Sequence, residues 1–104
     1  MKSDVINFLS SELGLEPEDA QPLYESFMEA FGEVVGELRE TRPDDEAGLR
    51  RITHNMMGFS QNVGALDLFE AAKVLNACAK AHDVPGAEAS SARIIALHDA
   101  YAGG

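Results

Sequence analysis

Leu49-Arg50-Arg51-Ile52-Thr53-His54-Asn55-Met56-Met57-Gly58-Phe59-Ser60-Gln61-Asn62-Val63-Gly64-Ala65 holds the pattern on which the fold depends. At about 100° per residue from His54, the side chains of Leu49, Ile52, Met56, Phe59 and Val63 all fall within about 40° of the opposite pole. That is one narrow apolar stripe, the mark of a helix with one face in a core. His54 then stands at the centre of the outward face. Arg50, Arg51, Met57, Gly58 and Gln61 flank it, because residues three, four and seven apart are neighbours on a helix. Pro43-Asp44-Asp45 opens this segment and Gly64 closes it.

The rest of the chain repeats the pattern. Val5, Ile6, Leu9 and Leu13 form a short periodic stretch, with Ser3 as its expected N-cap and Gly14 as its exit. A second segment runs from Pro17 or Pro22 to Arg42, with Leu23, Phe27, Phe31, Val34 and Leu38 on one face. Its acidic residues come early and Arg39 and Arg42 come late, which suits the helix dipole. A fourth segment spans Ala65 to His82, with Leu68, Ala72, Leu75 and Ala79 in a stripe. Asp83-Val84-Pro85-Gly86 reads as a turn, and a last helix runs from Ala87 to Tyr101 with Ile94, Leu97 and Tyr101 inward. No stretch has sustained strand alternation. The expected fold is all-α: an antiparallel up-down four-helix bundle with an additional short N-terminal helix, residues 1–104 forming a single domain.

Composition narrows the function. The chain has 104 residues, 18 acidic and 8 basic, for a formal charge of −10. Such a surface repels phosphate backbones and anionic membranes unless its few cations cluster, so neither nucleic acid nor membrane is an expected partner. Cys78 is the single cysteine, which leaves no internal disulfide and no multi-cysteine zinc site. No apolar run approaches the roughly 20 residues that span a bilayer, and an aspartate stands where a signal peptide would be apolar. The expectation is a soluble, reducing, cytoplasmic setting. No glycine-rich phosphate loop occurs, so no autonomous kinase activity is expected.

His54 carries the chemistry. An exposed histidine on a helix is ordinarily a plain surface residue, but its neighbours argue for more. Glycine inside a helix costs up to about 1 kcal/mol against alanine, yet Gly58 sits one turn from His54 and leaves the ring open to a bulky partner. Arg50 and Arg51 lie one turn before it, and guanidinium groups hold phosphate oxygens well. Met57 adds an adaptable apolar contact. An open imidazole beside cations suits a nucleophile for a phosphoryl group delivered by another protein.

The stretch from His54 to Ala65 resembles the signature of histidine-containing phosphotransfer domains, His-x-Leu-Lys-Gly-Ser followed by an apolar residue and Gly-Ala. His54, Met56, Gly58, Val63, Gly64 and Ala65 carry the match. Helix order and length resemble that family over most of the chain. Met57 stands where the family has a lysine, and Phe59 where it has a small residue. The resemblance implies a relay intermediate in a two-component phosphorelay. His54 would take a phosphoryl group from a receiver-domain aspartate, at Nε2, and pass it to a second receiver. Arg50, Arg51 and Gln61 would stabilise the phosphoryl group, and Met57 and Gly58 would meet the partner. Response-regulator receivers and a hybrid sensor histidine kinase are the implied partners of a monomer. Mg²⁺ is expected on the receiver, and no cofactor on this chain.

Other readings use other residues. His82 and His98 lack the spacing of a metal pair, and no metal site is expected. Gly64-Ala65-Leu66-Asp67-Leu68 lacks the serine of an acyl-carrier site. The alternative that Met57 keeps open is a phosphate-free module of the same fold that docks a histidine kinase or response regulator.

Overall fold

The computed structural model describes residues 1–103, and among them every regular element is a helix. The helices are α1 (Lys2–Leu13), α2 (Pro17–Glu40), α3 (Glu46–Asn62), α4 (Leu66–Lys80) and α5 (Val84–Gly103). α2 packs on α3, α3 on α4, α4 on α5 and α5 back on α2, while α1 lies against α2. Twenty-four residues make α2 about 36 Å long at 1.5 Å per residue, and it accounts for most of the 43 Å long axis of the molecule.

The helix ends follow local chemistry. Gly14 closes α1 at φ 68°, and the Leu15 amide donates back to the Leu9 carbonyl at 3.3 Å. Ser3 is not the cap of α1. Met1 holds that position and Ser3 lies inside the first turn, where the Asp4 carboxylate takes the Met1 amino group. Asp45 caps α3 by accepting from the Gly48 amide at 3.0 Å. α2 begins at Pro17 and continues through Pro22. The bond Pro22 cannot donate would go to a carbonyl of the first turn, on a side open to water. Asp83-Val84-Pro85-Gly86 is no free turn but the start of α5: the Asp83 carboxylate accepts from the Gly86 amide at 3.0 Å and Pro85 sits in the first turn. The chain reverses one residue earlier, at His82, with φ 54°.

The core is built from the stripes named above. Phe27, Phe31, Val34 and Leu38 of α2, Leu49, Ile52 and Met56 of α3, Leu68, Ala72, Leu75 and Ala79 of α4 and Ile94, Leu97 and Tyr101 of α5 are buried. Phe27 lies at the junction. Its ring is 5.9 Å from Phe59 of α3 and 5.6 Å from Tyr101 of α5, both edge-on, a favoured aromatic geometry. Tyr24 donates to the Tyr101 carbonyl at 2.8 Å, and Tyr101 donates to Asp67 Oδ1 of α4 at 2.6 Å. Two stripe positions fail: Leu13 is 58% and Leu23 42% exposed. They border an apolar groove of about 330 Å³ between α1, α2 and α3, floored by Phe27, Phe59 and Val63.

Candidate functional site

Asp45 starts α3 and the Gly64 turn ends it, so the stripe between them is set against the core and His54 is turned out to solvent. Among the described residues nothing is hydrogen-bonded or ion-paired to its imidazole. Gly58 is exposed too, and a methyl group added there would meet no atom within 4 Å.

The two glycines of the motif have different causes. Gly64 stands at φ +69°, and an added Cβ would enter the ring of Phe8. The turn therefore requires glycine, both for its left-handed backbone and for the close approach of α1. Ala65 is buried, and its amide donates to the Ser60 carbonyl at 2.9 Å. The Gly-Ala pair is explained by the fold. Gly58 is not, since it pays the helix penalty without packing against anything.

The flanking residues sit as follows. Arg50 and Arg51 are exposed, as predicted, but each is engaged with a carboxylate. Arg50 Nη1 lies 3.2 Å from Glu46 Oε2, one turn back on α3. Arg51 Nη1 lies 3.5 Å from Glu37 Oε2 of α2. The structure thus aims neither guanidinium at His54. Exposed pairs of this kind are worth about 0–1 kcal/mol, so either can be exchanged for a stronger anion. Gln61 is exposed two turns beyond His54, Met57 is half-buried against the core, and Phe59 is half-buried on Phe27.

Sequence reasoning about α3 alone misses what other helices bring. Thr53 is fully buried, and its single hydroxyl proton is shared between the Arg50 carbonyl at 3.0 Å and Asn76 Oδ1 of α4 at 3.2 Å. His82 Nε2 lies 3.1 Å from Glu46 Oε1, so that carboxylate serves both His82 and Arg50. His98 is edge-on to Phe31 at 5.0 Å. Among the described residues, no group of three or more His, Cys, Asp or Glu side chains is placed to hold a metal ion. No helix among them is long and apolar enough to cross a membrane.

The arrangement offers an exposed imidazole on a helix, open space one turn along at Gly58, and an apolar groove at the C-terminal end of the same helix. Chemically, that suits a nucleophile served by a partner's surface. Comparison of the chain with models of known protein families, with curated proteins and with solved structures finds no match.

Proposed function

We propose that this chain is a histidine phosphotransfer protein, with His54 receiving a phosphoryl group from a receiver-domain aspartate and passing it to another. The observation that carries the reading is Gly58. It is a glycine that the fold does not require, one turn from an exposed histidine that has no hydrogen bond or ion pair among the described residues. The missing side chain there leaves the ring open to a bulky partner.

The bundle belongs to the same proposal. The cross-helix contacts Arg51–Glu37, Thr53–Asn76, Tyr101–Asp67 and Phe31–His98 support the reading of an antiparallel up-down four-helix bundle carrying α1 as an extra element. Such a scaffold presents the middle of α3 rigidly, and positioning is most of what phosphoryl transfer asks of an acceptor. The lone pair of Nε2 attacks phosphorus, the P–O bond to the aspartate breaks, and the electron pair leaves with the carboxylate. The proton on Nδ1 stays in place. Mg²⁺ and the groups around the aspartate belong to the receiver. Met57 and Gly58 meet the partner. Arg50, Arg51 and Gln61 are available to the phosphoryl oxygens once the arginines leave their carboxylates.

A second reading has one observation in its favour: Met57 is apolar and both arginines are occupied. In it the same face docks a kinase or receiver and carries no phosphate. Incubation with phosphorylated receiver domains separates the two. Acid-labile, alkali-stable phosphate on the wild type and none on His54→Gln establishes the relay. No label from any receiver, with the fold intact, overturns the relay and favours the docking module.

A further inference from the structure

We infer that Lys73 of α4 neutralises the phosphoryl group on His54; the inference rests on the phosphotransfer reading. Position 57, on the α4 side of His54, is methionine, and the two arginines of α3 are held by Glu46 and Glu37. Lys73 is a cation of the neighbouring helix α4.

Two contacts set the register of α3 against α4. Glu46 meets His82 just beyond the end of α4, and Thr53 meets Asn76. As the number falls along α4 it rises along α3. The same step continued puts Lys73 level with Met56, about 3 Å along the axis from His54 at 1.5 Å per residue. Asn76 marks the edge of α4 that meets α3, and Lys73 and Phe69 lie on that edge one and two turns earlier. The Lys73 ammonium rests 5.6 Å above the Phe69 ring centre. It lies 3.7 Å from Glu70 Oε1, and both side chains of that pair are more than half exposed. Such a pair holds its lysine weakly. A doubly charged phosphoryl group is the stronger partner. Packed helix axes lie about 8–10 Å apart, which a lysine on one and a phosphohistidine on the other together span. No proton passes through Lys73. It lies against the phosphoryl oxygens while P–N forms.

Potassium phosphoramidate tests this without a partner protein. His54 Nε2 displaces ammonia from its phosphorus, and ³¹P NMR follows the ionisation of the resulting phosphoryl group with pH. His54→Gln identifies which resonance belongs to His54. Loss of one nearby ammonium in Lys73→Met is expected to raise the second ionisation of that phosphoryl group by about half a pH unit. Lys73→Arg is expected to keep the wild-type value, Met57→Lys in the Lys73→Met background to restore it, and Lys2→Met on α1 to leave it alone. A His54 resonance that titrates identically in wild type and in a folded Lys73→Met overturns the inference and leaves phosphotransfer standing. A His54 that takes no phosphoryl group, while the exposed His82 does, overturns both.

Discussion

Replacing Gly58 with glutamate separates stability from function at a single position. The fold has no objection to the change. Nothing lies within 4 Å of a Cβ at residue 58, and an ordinary helix former replaces the costliest one short of proline. A gain of about 0.5 kcal/mol is expected, or a rise of about 2–4 °C in melting temperature for a domain of this size. Transfer should move the other way. Residues four apart on a helix have Cβ atoms about 6 Å from each other. At 6 Å even the screening of bulk water leaves about 0.7 kcal/mol between two unit charges. Against a doubly charged phosphoryl group that is about 1.4 kcal/mol, or tenfold in rate. Exclusion of the partner's surface adds to it. The assay is kcat/KM for phosphoryl transfer from a receiver domain, run beside thermal unfolding by circular dichroism. Gly58→Ala is the companion: about 1 kcal/mol more stable, with no added charge. A Gly58→Glu protein that melts at or above the wild-type temperature and accepts phosphate at the wild-type rate refutes the reasoning.

Three more outcomes are expected. His54→Gln should change stability by no more than about 0.5 kcal/mol, because its ring is exposed and unpaired, and should abolish labelling; a large drop in melting temperature would show a structural role. Gly64→Ala should cost about 2 kcal/mol or more, from the left-handed backbone and the displaced Phe8 ring; an unchanged melting temperature would contradict the turn geometry. Burial, with the Asp67 hydrogen bond and its charge next, holds the Tyr101 hydroxyl well above its ordinary ionisation, and burial also raises Tyr24. The unfolded chain therefore loses these protons first, so the contribution is complete below about pH 10 and declines as pH rises beyond it. Melts between pH 8 and 11.5 should show that decline, and Tyr101→Phe should flatten it while lowering stability at neutral pH by about 1–2 kcal/mol.

Periodicity by itself determined most of the fold, because a helix is a local object. Five amphipathic stretches, their glycine and aspartate boundaries and the outward face of His54 all follow from residues three and four apart. The stripe failed at Leu13 and Leu23, whose fate depends on how α1 sits against α2 and α3. It failed again at Asp83-Val84-Pro85-Gly86, where a proline in the first turn of a helix looks in sequence like a proline in a loop. In the candidate site, His54 and the absence of a side chain at Gly58 were legible, since both depend on α3 alone. Tertiary structure alone decided which carboxylate holds Arg51, why Gly64 cannot change, and which residue of α4 meets Thr53. Each of those is a contact between residues distant in the chain. Their register is set by the fit of buried side chains such as Phe27 and Thr53, which no window along a single helix contains.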